Sequence, residues 1–147
     1  MHWLLIPFVV VSGVLNSLQT GNNTQLAKSL HQPIAAAFII YAVGMLTLAV
    51  SAPFLGFSFS AYGRLGQAPW WAWLGGIFGA IYIIAMLYVT DKVGAGTFTA
   101  LTVTAAIVTT VLLDHFGWLG LDVHPASAGR IIGCALMIGG VILVSKF

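Results

Sequence analysis

Five times along this chain an apolar run returns, each about as long as the 20 or so residues a helix needs to cross bilayer hydrocarbon. The runs cover residues 3–22, 33–53, 69–90, 95–116 and 125–146. Prolines mark their edges, since proline fits a first helical turn and breaks a helix interior. Pro33, Pro69 and Pro125 each open a run, Pro53 closes one, and Pro7 lies in an early turn. Trp70, Trp71, Trp73 and Trp118 gather at run ends, where indole rings favour the headgroup layer. The first run lacks the basic start of a cleavable signal and carries amides where such a signal would be oily. It reads as a retained helix.

Charge points the same way. Only 5% of the residues are charged and 60% are hydrophobic, whereas a soluble domain is about 25% charged. The expected fold is therefore an all-α integral membrane protein, a single domain over residues 1–147 with five transmembrane helices. A net charge of +2, scattered along the chain, gives no footprint for nucleic acid. Cys134 stands alone in an apolar run and has no partner for a disulfide or a metal site.

With five spans the termini lie on opposite faces. Arg64 and Arg130 then fall on one face, and Lys28, Lys92 and Lys146 on the other. Lys/Arg asymmetry normally sets orientation, and two against three is hardly a bias. Either a single residue or the lipid still decides, or the chain inserts both ways.

The first run holds the least expected stretch, "NSLQTGNNTQ" at residues 16–25. Ser12, Asn16, Gln19, Thr20 and Asn23 follow the i, i+3, i+4 spacing of one helix face. An amide without a partner in hydrocarbon costs several kcal/mol. The stripe must face other helices, as interhelical glue, or line a wet cavity. Four polar groups aligned over two turns favour the cavity. Amides donate and accept hydrogen bonds without titrating. The three acids, Asp91, Asp114 and Asp122, all lie near run ends. Such a lining suits neutral or zwitterionic solutes, or a weakly held cation, better than proton-for-cation exchange on a mid-membrane carboxylate. The candidate substrate contacts are Gln19 and Asn23, supported by Asn16 and by Tyr82 in the third run.

Gly75, Gly79, Gly129 and Gly133 supply small residues four apart, a pattern that lets helices approach closely. The fourth run is rich in threonine, and Thr99, Thr102, Ala106, Thr110 and Asp114 share a face. Its hydroxyls can bond their own i−4 carbonyls, so that face is either a helix seam or a pore lining. Asp114-His115 ends the run. Its choices are an interfacial cap or a gating or proton-coupling pair. No nucleotide loop, zinc-protease pair or nucleophile elbow is present. The chain is expected to be no enzyme and to use no cofactor.

Gln19-xxx-Asn23-Thr-Gln-Leu26, Pro33-Ile-Ala-Ala-Ala-Phe38 and Val43-Gly44 resemble the start of the YdcZ-type inner-membrane exporters. These are a five-helix branch of the drug/metabolite transporter superfamily. Trp73-Leu-Gly-Gly-Ile-Phe-Gly-Ala-Ile-Tyr82, Lys92-Val-Gly94, Leu113-Asp-His-Phe-Gly117 and Arg130-Ile-Ile-Gly133 are similar to that family in the same order. In one departure, Ala105-Ala106 stand where the family often carries Gly-Gln. The resemblance implies a bacterial or archaeal cytoplasmic membrane and small-molecule export. It also implies that five helices are half of a ten-helix unit, completed by an oppositely inserted copy in an antiparallel homodimer. Three readings follow: a secondary transporter of small solutes, a passive small-solute channel, and a non-transporting accessory subunit.

Overall fold

The computed structural model describes Trp3 and residues 5–147. Met1, His2 and Leu4, the last within the first expected run, lie outside the described residues. Five long α-helices make up most of the chain: α1 (Leu5–Leu30), α2 (Pro33–Ser51), α3 (Leu74–Val93), α4 (Ala95–Phe116) and α5 (Ala128–Lys146). Four tight 3-10 turns, Ala52–Leu55, Phe59–Gln67, Trp70–Trp73 and Trp118–Gly120, sit among them.

Four stretches are long and apolar enough to cross a membrane: Pro33–Leu55, Trp70–Val93, Ala95–Phe116 and Ala128–Lys146. The first helix is not among them, although at 26 residues it is the longest. Length is not what it lacks, because 1.5 Å per residue gives it about 39 Å. Its amides dilute its apolar character.

Each helix end has a local cause. Pro33 opens α2 after His31, whose φ of 53° ends α1 in the left-handed region. Gly94, at φ 87° and ψ 149°, breaks the chain between α3 and α4 in a conformation almost confined to glycine. Gly117 closes α4 at φ 63° and gives its N–H to the Leu113 carbonyl, a left-handed cap that glycine adopts without Cβ strain. Ser127 starts α5, its hydroxyl accepting from the Arg130 N–H at 3.3 Å. Residues 125–127, expected inside the last run, are therefore extended lead-in and cap.

The chain divides into two compact units, Met1–Asp91 and Lys92–Phe147. In the first, α1 and α2 pack on each other, as a two-residue connection between helices requires. The buried residues of this unit are Thr20, Asn23 and Ala27 on α1, Ala36 and Ala37 on α2, and Ile83, Met86, Leu87 and Thr90 on α3. The α1 set steps by three and four, and so does the α3 set, so each is one face of its helix. In the second unit α4 packs on α5, and Phe98, Thr104 and Val141 are buried. Large apolar side chains are otherwise exposed along the helices, as at Phe38, Leu46, Phe78, Leu136 and Ile142. Lipid is the solvent that makes such a surface favourable.

Candidate functional site

The polar stripe of α1 separates into two kinds of group. Its hydroxyls look inward to their own helix. Ser12, Ser17, Thr20, Thr24 and Ser29 each donate to the carbonyl four residues back, at 2.8–3.3 Å. Its amides do not. Among the described residues Asn16 and Gln19 find no hydrogen-bond partner, and both are exposed. Asn23 is buried at 9% exposure, and its Nδ2 donor is unpartnered among those residues. Thr20 is buried at 2%. The face that the spacing defines is thus sunk at Thr20 and Asn23 and open at Ser12, Asn16 and Gln19. Tyr82, on α3 of the same unit, is 37% exposed.

Two cavities adjoin the helix ends. One, of about 350 Å³, lies in the first unit against Thr24, Ala27 and Lys28 of α1, His31 and Pro33 at the turn, and Leu87 and Asp91 of α3. Lys28 and Asp91 form an ion pair in its wall, each side chain about half exposed. Neither Gln19, Asn23, Asn16 nor Tyr82 lines this cavity. The pair was legible only in hindsight. In an up-and-down chain the first and third helices end on the same face, which brings a basic last turn of α1 level with an acidic last turn of α3.

The second cavity, about 480 Å³ and widely open, lies in the second unit against Asp114, His124, Pro125 and Arg130. Here the loop after α4 folds back on the helix it leaves. The His124 N–H donates to the Asp114 carbonyl at 2.8 Å, and the Ala126 N–H donates to His115 Nδ1 at 3.1 Å. Arg130 donates through Nη1 to the His124 carbonyl at 3.0 Å and through Nη2 to Asp114 Oδ2 at 2.6 Å. The Asp114 side chain is 20% exposed and that of Arg130 34%. Asp114 and His115, adjacent in sequence, therefore serve different partners. Arg130 had been read only as a topology charge, because nothing in its spacing from Asp114 across a loop announces a contact.

The glycines differ among themselves. A Cβ built on Gly79 would stand 3.4 Å from the Tyr41 hydroxyl, and one on Gly129 would stand 3.9 Å from Ser127 Oγ. At Gly75 and Gly133 a Cβ would meet nothing among the described residues.

Apolar helices exposed along their length, one amide-bearing helix and ion pairs kept to the helix ends define a multi-pass membrane protein. The chain belongs to the family described as "Putative inner membrane exporter, YdcZ", whose model matches residues 4–143. It is similar to the inner membrane protein YdcZ of Escherichia coli (strain K12), with 24% identity over 144 residues, covering 97% of this chain and 95% of that one. No solved structure matches it. Its place is the cytoplasmic (inner) membrane, and its family is one of transporters rather than enzymes.

Proposed function

We propose that this chain is one half of a small-solute secondary transporter of the drug/metabolite type. It works as an exporter, in an antiparallel homodimer whose central cavity is polar and free of carboxylates. One observation carries the reading: the hydroxyls of α1 are satisfied within the helix, whereas the amides of Asn16, Gln19 and Asn23 are not. In hydrocarbon each unmet amide costs several kcal/mol. The exposed amides call for a second chain or a wet cavity, and a dimer interface around α1 supplies both. On this reading α1 crosses the membrane despite its polarity, because its polar face looks onto the cavity. Gly75 and Gly133, open in the single chain, then accept the partner's backbone. The near balance of Arg64 and Arg130 against Lys28, Lys92 and Lys146 suits insertion in both directions.

Gln19 and Asn23 are the principal solute contacts, with Asn16 and Tyr82 beside them. Asp114 and His115 serve gating or coupling, with Arg130 as the fixed partner of the carboxylate. The test is efflux of a mixed pool of labelled metabolites from proteoliposomes. A secondary transporter gives saturable efflux that depends on an ion gradient, and a channel gives neither. Gln19→Leu and Asn23→Leu should lower the flux about tenfold or more, since an unpaired polar group on the solute costs about 1–3 kcal/mol. Absence of flux for every solute in the pool would leave the accessory-subunit reading standing.

A further inference from the structure

The ion pair in the cavity of the first unit is an unusual use of charge. The chain carries eight charged residues (Lys+Arg 5 and Asp+Glu 3) in 147. Two of them, from different helices, are brought together in the wall of a cavity of about 350 Å³. That volume falls in the range of small-molecule sites. With each side chain about half exposed, the pair contributes little to folding. Its place in the cavity asks for another explanation.

A second observation points to a ligand. Thr20, Thr24, Thr47 and Thr102 all return their hydroxyls to the carbonyl four residues back. Thr90, 97% buried, does not, and its Oγ1 has no partner among the described residues. Asn23 Nδ2 is the other such atom. Both belong to residues next to the cavity wall in sequence: Thr90 precedes Asp91, and Asn23 precedes Thr24. Buried polar groups are nearly always paired. A rotation about the side-chain bonds is all that separates these two from a guest at the wall.

We infer that the cavity at the Lys28–Asp91 ion pair binds a small zwitterion, its anionic end on Lys28 and its ammonium on Asp91. Insertion breaks one ion pair and makes two, so no charge is left without a partner. A simple cation on Asp91 would strand the Lys28 ammonium beside hydrocarbon, and a simple anion would strand the Asp91 carboxylate. Unpaired charges of that kind are strongly disfavoured. The pair thus selects for solutes that carry both signs. Asn23 Nδ2 adds a donor for the anionic end, and Thr90 Oγ1 adds an acceptor for the ammonium. This deepens the transport reading by naming a class of solute, and it rests on that reading for the solute's onward route.

The test uses the full chain purified in detergent and three labelled probes: leucine, isoamylamine (leucine without its carboxylate) and 4-methylpentanoate (leucine without its amine). Wild type should bind leucine at least about tenfold more tightly than either single-charge probe. Lys28→Met should turn the preference to isoamylamine, and Asp91→Asn should turn it to 4-methylpentanoate. The exchange Lys28→Asp with Asp91→Lys should restore leucine. Thr90→Val should weaken leucine about tenfold while leaving the order of the probes intact. Nanodiscs with and without phosphatidylethanolamine separate the two sources of such a headgroup: competition by that lipid marks a lipid ligand, and its absence a soluble one. A wild type that binds the three probes alike, or binds none, overturns the inference, as does an unchanged preference in both single variants. Efflux of the mixed pool without leucine binding would sink this inference alone. The expected binding pattern without efflux would sink the transport reading alone.

Discussion

Gly117→Ala should unfold the chain more easily, and the loss should divide into two separable parts. Gly117 sits at φ 63°, ψ 29°, where an L-residue suffers about 1–2 kcal/mol from its Cβ against the following carbonyl. An added Cβ would also stand 2.7 Å from Val123 Cγ2 and 3.4 Å from the Leu121 carbonyl oxygen. Carbon atoms attract at about 3.5–4.0 Å, so Val123 must move, at a typical overpacking cost of about 1–3 kcal/mol. Together the two give about 2–5 kcal/mol. The double variant Gly117→Ala with Val123→Ala removes the obstructing methyl. Relative to Val123→Ala alone, it should lose only the backbone part, about 1–2 kcal/mol. Unfolding in mixed detergent micelles, followed by helical circular dichroism, measures both. A Gly117→Ala chain within about 0.5 kcal/mol of wild type, the ordinary range for surface changes, would refute the argument. So would a double variant that recovers nothing. The loop matters beyond its own stability, because it brings the Ala126 N–H to His115 and the His124 carbonyl to Arg130.

Four further outcomes follow from the same structure. Asp114→Asn and Arg130→Gln should show coupling in a double-mutant cycle of about 1 kcal/mol or more, because the pair is well ordered and only partly exposed; additive losses would reduce it to an incidental contact. Asn23→Leu should hold or raise thermal stability while solute flux falls, since it removes a buried donor with no partner among the described residues; a marked drop in stability would instead make Asn23 interhelical glue. Leu119→Asn should stabilise the chain slightly in thermal unfolding, because Leu119 holds φ 59° and asparagine tolerates that region better. Single cysteines placed near each terminus, in a Cys134→Ser background, should be labelled from one side in only part of the population; full labelling at one end and none at the other would end the case for insertion both ways.

Much was legible before any coordinates. Apolar runs of spanning length and so little charge left helices in lipid as the outcome, since lipid offers backbone groups no partners outside the helix itself. The 3.6-residue period alone placed Asn16, Gln19, Thr20 and Asn23 on one face. The resemblance of Gln19-xxx-Asn23 and Asp114-His-Phe-Gly117 to the exporter family pointed to the membership that the comparison of residues 4–143 shows. Periodicity could not say which part of that face is sunk. Thr20 and Asn23 are covered while Asn16 and Gln19 stay open, because burial depends on neighbours far away in sequence. The two ion pairs were equally hidden. Lys28 meets Asp91 across 63 positions and Arg130 meets Asp114 across 16, separations that no local pattern encodes. Helix ends set where a charge stands along the membrane normal, and that much is written in the order of residues. Which opposite charge stands beside it is decided only when the helices are laid against one another.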